Sequence, residues 1–257
     1  MSEGERLPGE ATDFAVDLER HHAAYRFAEA RAAGRTVLDA GCGEGYGAAR
    51  LARVAARVVG IDRPEAVRVA AARYAAPNLE FRPQDLERLD AIADRFDLVV
   101  SFQVIEHLPD PGAFLRGLVR LVAPAGELIV TTPNRLMSVT ENPYHLREWT
   151  AAELRALAEP ALPGVQVLGV HGSERVLAYE RARGAQVARV LRLDPLGLRH
   201  LVPRAVVDRV YPRLARLVRR RLRETAGTAV GPGDFTVSGA DLDGALDLLL
   251  LFSRGGA

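Results

Sequence analysis

The stretch Thr36-Val-Leu-Asp-Ala-Gly-Cys-Gly-Glu-Gly-Tyr-Gly47 decides the fold. Thr36 to Ala40 reads as a short buried strand carrying Asp39 near its end, and Ala48 to Val54 as a helix. Between them lies the turn Gly41-x-Gly43-x-Gly45. A strand, a tight glycine turn and a helix in that order suit a ligand held close to backbone. Glycines take left-handed conformations and leave amide groups uncovered.

Working outward, Thr12 to Ala33 reads as an amphipathic helix with Phe14, Leu18, Tyr25 and Phe27 among its apolar residues, ended by Gly34. Downstream, Arg57 to Ile61 is a second strand ending at Asp62, and Pro64 opens a helix that Glu65 to Tyr74 continue. Leu79 to Phe81 is a third strand and Phe96 to Ser101 a fourth. Pro111 to Val122 is a helix and Glu127 to Thr131 a fifth strand. Strands alternating with helices predict an α/β fold with right-handed crossovers and a parallel sheet. Thr150 is an N-cap, with Glu153 completing a capping box. Gly164 to Val170 and Ala245 to Phe252 are the remaining strands. An Arg-rich insertion over 173–233, broken by Pro195, Pro203 and Pro212, separates them.

The 257 residues suit a single domain, 1–257, with one insertion. Hydrophobic residues make up 48% of the chain, enough for a full core, and the net charge of +1 carries no polyanion-binding signature. Cys42 is the one cysteine, which excludes an internal disulfide or a cysteine zinc cluster and suits a reducing cytoplasm. Met1 to Glu10 has no apolar signal core, and the run Leu248 to Phe252 is too short to span a bilayer, so a cytoplasmic protein without a transmembrane segment is expected. The chain has no lysine. That bias warns against assigning function to any single arginine.

The dinucleotide fingerprint is Gly-x-Gly-x-x-Gly. Here the third glycine comes one residue early and Tyr46 fills its slot, which counts against NAD or FAD. A carboxylate at Asp39 sits badly beside a pyrophosphate and well beside a positive amino group. Asp62 at a strand end can accept both hydroxyls of a ribose. Asp85, in Gln84-Asp-Leu86, is placed to accept from an adenine amino group. Singly these aspartates read as turn caps. Together at successive strand ends they read as one ligand site.

These segments, with Val59-Gly-Ile-Asp62, Phe96 to His107 and Pro124 to Asn134, resemble the class I S-adenosylmethionine (SAM)-dependent methyltransferases over roughly residues 12 to 170. The resemblance implies a Rossmann-like, doubly wound, seven-stranded sheet with the last strand antiparallel. It also implies a cap helix over 12–33 and SAM as cofactor. It assigns Asp39, Gly41, Gly43 and Gly45 to the methionine moiety, Asp62 to ribose, and Asp85 with Leu86 to adenine. Phe102 and Gln103 line the pocket, Tyr25 closes over it, and Cys42 is packing.

Methyl transfer is an in-line displacement, so the acceptor must be aligned and, if a hydroxyl, deprotonated. His107, in Gln103-x-x-Glu106-His107, and His145, in Asn142-Pro-Tyr-His-Leu-Arg-Glu-Trp149, follow the fourth and fifth strands. Three readings are open. His107 is a general base oriented by Glu106. Alternatively Gln103, Glu106, His107 and His145 surround a divalent metal of the Mg2+ type that lowers the pKa of a hydroxyl. In the third reading both histidines only tie loops together. The metal reading rests on similarity to the Glu-x-x-Glu-His motif of ubiquinone-pathway O-methyltransferases and small-RNA 2′-O-methyltransferases. This chain departs from that motif at Gln103, a neutral donor that weakens metal affinity. Trp149 is either core packing or an acceptor platform.

The segments Phe102 to His107, Thr132-Pro-Asn134 and Asn142 to Glu148, with the tail around Asp234 and Asp241 to Asp247, further resemble bacterial glycan O-methyltransferases, actinobacterial ones among them. This implies a sugar hydroxyl as acceptor. A small phenol or amine, and a catalytically silent partner protein on the same fold, are the alternatives. Arg175 to Arg223 holds fourteen arginines against Glu180, Asp194 and Asp208, with apolar residues at helical spacing from Val202 to Leu222 and a kink expected at Pro212. A lid, a homodimer element, a peripheral membrane contact, and a packed lid with solvated arginines all fit. Nucleic acid is not expected, since the only aromatics there are Tyr179 and Tyr211.

Overall fold

The computed structural model describes residues 15–138, 142, 144–191 and 230–255. The elements run α1 (Ala15–Ala32), β1 (Thr36–Ala40), α2 (Tyr46–Leu51), β2 (Arg57–Asp62), α3 (Pro64–Arg73), β3 (Leu79–Pro83) and β4 (Phe96–Phe102). They continue through α4 (Pro111–Leu121), β5 (Val122–Pro133), α5 (Ala151–Ala158), β6 (Gln166–Gly172), α6 (Glu174–Leu191), β7 (Phe235–Ser238) and β8 (Asp247–Ser253).

Local chemistry sets several boundaries. Pro64 and Pro111 open their helices, and the Asp110 carboxylate accepts the amide of Ala113 at the start of α4. At α5 the reciprocal bonds between Thr150 and Glu153 form the expected capping box. Along the strands, successive side chains serve opposite faces. Leu38, Val59, Ile61 and Val99 pack with Leu115 and Leu118 of α4 and Leu154 of α5. Val37, Val58, Leu98 and Val100 pack with Ala24 and Ala28 of α1 and Ala48 and Leu51 of α2. Helices therefore cover both faces, as a doubly wound sheet requires.

The strand order is β3-β2-β1-β4-β5-β8-β6-β7. β8 lies antiparallel between β5 and β6, which is the expected antiparallel last strand. The sheet has eight strands rather than seven. β7 pairs antiparallel with β6 at the edge, from Gly169 opposite Ser238 to Gly172 opposite Phe235. The insertion begins as α6 directly after β6, while 192–229, including the apolar repeat and the Pro212 kink, lie outside the described residues.

The order reverses between β1 and β4: the chain first builds outward through β2 and β3, then returns to the other side of β1. Ligands of open α/β sheets bind at such a reversal, beyond the carboxyl ends of the strands. Asp39 and Phe102 stand there, and α1 is bonded across the same edge. Arg20 donates from Nε to Asp247 Oδ2 at 2.6 Å and from its terminal nitrogen to the Leu246 carbonyl at 2.6 Å. Asp247 begins β8 opposite Pro133, the end of β5.

Candidate active site

Gly41, Gly43 and Gly45 take φ values of 88°, 55° and 87°. Each is in the left-handed region that disfavours a side chain. A Cβ on Gly41 would stand 2.4 Å from Val104 Cγ2, and one on Gly45 2.7 Å from the Ala70 Cβ. At Gly43 a Cβ would meet nothing within 4 Å. The outer glycines thus let the turn pack against the protein, while the middle one keeps open space beside its backbone.

Asp62 faces this turn. Its Oδ2 accepts the Gly43 amide at 2.9 Å and its Oδ1 the Arg63 amide at 2.7 Å. Each oxygen retains a second lone-pair direction. Asp39 is fully buried. Its Oδ2 accepts the Tyr25 hydroxyl at 3.0 Å, and its Oδ1 is buried without a hydrogen-bond partner. Burial, with the Asp62 charge added, pushes this carboxyl up to about 7 against the pull of the Tyr25 bond. Asp85 is exposed and caps its own loop, accepting the Glu87 amide at 3.0 Å, while Leu86 packs toward Gly41.

The Tyr25 ring lies against Gly47, where a Cβ would come within 1.8 Å of Cζ, and meets Phe102 edge-on at 4.8 Å between centroids. Sequence reasoning missed His21, one turn before Tyr25 on the same helix face. Its Nδ1 bonds the Tyr46 hydroxyl, and its Nε2 is buried without a hydrogen-bond partner. Burial, with His22 and Arg20 adding, pushes its imidazole down to about 3. The i, i+4 spacing of His21 and Tyr25 was the available signal.

Beyond β4 the chain turns sharply. Gln103 has φ 55°, unusual for a residue with a side chain, and its amide donates to the Thr131 carbonyl at 3.0 Å. A 3-10 turn over Ile105–His107 follows. It brings Glu106 and His107 together with His145, whose candidate ligand atoms all lie within 4.8 Å of one another. Glu106 is fully buried. Thr132 Oγ1 donates to its Oε2 at 3.2 Å, and its Oε1 is buried without a hydrogen-bond partner. Burial, aided by the Asp247 charge, pushes Glu106 up to about 8, and burial pushes His107 down to about 4. His107 Nδ1 donates to the Tyr144 carbonyl at 3.0 Å, while its Nε2 stands 3.9 Å from Glu106 Oε1. His145 places Nδ1 2.5 Å from Glu148 Oε1 and Nε2 2.9 Å from Asn142 Nδ2.

Other singled-out residues serve the frame. Trp149 is buried in the core with Leu154. Asn134 Nδ2 donates to the carbonyls of Leu242, Asp243 and Ala245, fastening the end of β5 to the turn before β8. Asp234 accepts from Ser173 Oγ and the Gly231 amide, and Asp247 holds Arg20. The tail aspartates 234 and 247 are thereby engaged in loop and helix contacts. Among the described residues, no helix is long and apolar enough to cross a membrane.

Comparison with known proteins agrees with this geometry. The family model of a methyltransferase domain matches residues 32–186. A protein of Mycolicibacterium smegmatis, named "Probable S-adenosylmethionine-dependent methyltransferase", is 36% identical over 263 residues, covering 98% of this chain and 94% of its own. The ubiquinone biosynthesis O-methyltransferase of a Methylobacterium species is 40% identical over 121 residues, 46% of this chain and 49% of that one. The solved S-adenosylmethionine-dependent methyltransferase from Mesorhizobium loti shares the fold at 15% identity, with a TM-score of 0.54 over 93% of this chain and 100% of its own. A relationship that runs along nearly the whole chain makes this protein a member of the S-adenosylmethionine-dependent methyltransferase family.

Proposed function

We propose that the acceptor is a hydroxyl with a second oxygen beside it, as in a sugar diol, and that Glu106, His107 and His145 hold a divalent cation against it. The observation that carries the reading is the buried Oε1 of Glu106. It lacks a hydrogen-bond partner within a cluster of two imidazoles and one carboxylate. A buried carboxylate oxygen left unsatisfied is costly, and a cation is the partner such a donor set suits. Two imidazoles favour a first-row ion such as Mn2+ over Mg2+, which prefers oxygen ligands. When bound, such a cation lowers the pKa of a hydroxyl that it contacts. The rival reading of His107 as a base oriented by Glu106 is weakened by their 3.9 Å separation, too long for a hydrogen bond.

When bound, the cofactor would supply a methyl group on a sulfonium for in-line displacement, with the carbon–sulfur bond exchanged for a bond to the acceptor oxygen and the acceptor proton lost to water. Asp39 Oδ1, buried without a hydrogen-bond partner, fits the cofactor ammonium, and the open space at Gly43 fits its approach to backbone. Asp62 takes the ribose hydroxyls, Leu86 and Asp85 the adenine. Tyr25 and Phe102 exclude water from the methionine end, and the motif resemblance gives Gln103 the part of a neutral oxygen donor. The relative named as an O-methyltransferase supports an oxygen acceptor. The sugar rests on the resemblance of Asn142 to Glu148 to glycan O-methyltransferases.

Methyl transfer from labelled SAM to glycans, catechols and amines tests this, each in EDTA and in Mn2+. The expected result is methylation of hydroxyl acceptors with glycans preferred, lost in EDTA and restored by Mn2+. Methylation of amines alone, or transfer indifferent to EDTA, overturns it.

A further inference from the structure

We infer that Glu148 is a positioning residue for His145: its carboxylate accepts a hydrogen bond from Nδ1–H and leaves Nε2 as the nitrogen that ligates. The inference rests on the metal-assisted reading above. It is argued from two independent contacts on one ring.

The first contact is the 2.5 Å approach of His145 Nδ1 to Glu148 Oε1. A carboxylate only accepts hydrogen bonds, so Nδ1 carries the proton. The second is the 2.9 Å approach of Nε2 to Asn142 Nδ2. The orientation of that amide is fixed from its other end, because Asn142 Oδ1 accepts the Tyr144 amide at 3.1 Å. Nδ2 therefore faces the ring and donates, so Nε2 offers its lone pair. Both contacts specify the same tautomer. A metal-binding histidine commonly donates its second nitrogen to a carboxylate or a carbonyl, which fixes ring orientation and raises ligand basicity. His107 has the carbonyl form of this support, from Tyr144. His145 has the carboxylate form, from Glu148, whose side chain is 12% exposed and so well placed to hold a fixed geometry.

Asn142 then has a defined part. Its amide occupies the lone pair that a cation would take, so a cation ligated by Nε2 would have to displace it. The Glu148 contact, on the other ring nitrogen, need not break for a cation to bind. The sequence motif shows the spacing His145-x-x-Glu148 but not the contact, because no regular helix runs there to imply that i, i+3 side chains meet.

The test uses the full chain with S-adenosylhomocysteine, labelled with 15N histidine, in wild-type form and as Glu148→Ala, Glu148→Gln and His145→Ala. Imidazole 15N shifts report the tautomer of His145, and Mn2+ titration followed by electron paramagnetic resonance reports affinity. Retained S-adenosylhomocysteine binding identifies variants that are folded. The expected result is an Nδ1–H tautomer in wild type that becomes mixed in Glu148→Ala, with Mn2+ affinity about 10- to 100-fold weaker. Glu148→Gln keeps an acceptor and should recover part of that loss, which a merely structural role would not predict. It also serves where the alanine variant fails to fold. Wild-type affinity in folded Glu148→Ala, with loss only in His145→Ala, overturns the inference and leaves the metal reading standing. Absence of Mn2+ binding by wild type overturns both.

Discussion

The Tyr25 hydroxyl donates to Asp39 Oδ2 across 3.0 Å, joining the helix that precedes the sheet to the end of its first strand. Both side chains are buried, so the bond holds α1 over the glycine turn in a place water does not reach. Replacing Tyr25 by Phe preserves the ring against Phe102 and removes only this bond. Both oxygens of Asp39 would then lack a hydrogen bond. The expected cost is about 1–3 kcal/mol in urea unfolding, the penalty for stranding a buried acceptor. A change within a few tenths of a kcal/mol would mean that Asp39 finds another donor.

Asp39 also makes stability depend on pH. Its carboxyl titrates at about 7 in the folded chain, against 3.8 ordinarily, because burial opposes its charge. Between those values the native state binds more protons than the unfolded chain. Stability therefore falls as pH rises from about 4 to about 7 and is not regained above it, with an upper bound of about 4 kcal/mol at 1.36 kcal/mol per unit. Unfolding of wild type and Asp39→Asn across this range should give a difference that declines with pH. Parallel curves would contradict it. If the cofactor ammonium pairs with Asp39, S-adenosylhomocysteine binding at pH 6 releases a proton. Calorimetry in buffers of different ionisation enthalpy reads that release, and Asp39→Asn should lose it.

Gly43 of the glycine turn and Gly47 at the start of α2 should fail for opposite reasons. A Cβ at Gly47 would sit 1.8 Å from Tyr25 Cζ, so Gly47→Ala must displace the ring. The expected loss is about 1–3 kcal/mol of stability, as for other overpacked sites. At Gly43 a Cβ meets nothing, and only the 55° φ is unfavourable. Gly43→Ala should cost roughly 1–2 kcal/mol, yet weaken S-adenosylhomocysteine by at least tenfold (~1.4 kcal/mol), since its methyl group fills the space left for the ligand. Thermal melts with and without ligand separate the two. Normal binding by Gly43→Ala would remove this glycine from the site.

Much of this arrangement was legible because it is local. The strand at 36–40, the turn after it and the capping box at Thr150 depend on neighbours within a few residues, and each formed where expected. β7 was not legible. Phe235 to Ser238 is four residues long with only Phe235 buried, and its partner β6 lies more than sixty residues away in sequence. The site divides the same way. The strand-end aspartates and the three cluster residues were read from motifs. The bond from Tyr25 to Asp39, the placement of His21 and the seat of Glu148 on His145 arise only when α1 and the loop before α5 fold over the sheet edge. Asp234 shows the converse: a residue with the chemistry of a ligand is engaged by Ser173, just after β6, and by Gly231 in its own loop.

Gln103 supplies the last prediction. It stands where the resembling metal motif has a glutamate, on backbone at φ 55° whose N–H donates to the Thr131 carbonyl. Gln103→Glu keeps the size and shape of the side chain, so the strained turn has no new reason to move. If Gln103 occupies the ligand position that the motif resemblance implies, the change adds one negative charge to a donor set whose members among the described residues are Glu106, His107 and His145. Cation affinity rises with ligand charge. The variant should therefore bind Mn2+ at least about tenfold more tightly, worth ~1.4 kcal/mol, and its preference for Mn2+ over Mg2+ should narrow as oxygen donors gain weight. In that position, and without a cation, the new carboxylate would repel Glu106, so the metal-free variant should melt below wild type and regain the difference on adding Mn2+. A melt that ignores Mn2+ in both proteins would rule out a cation at this cluster.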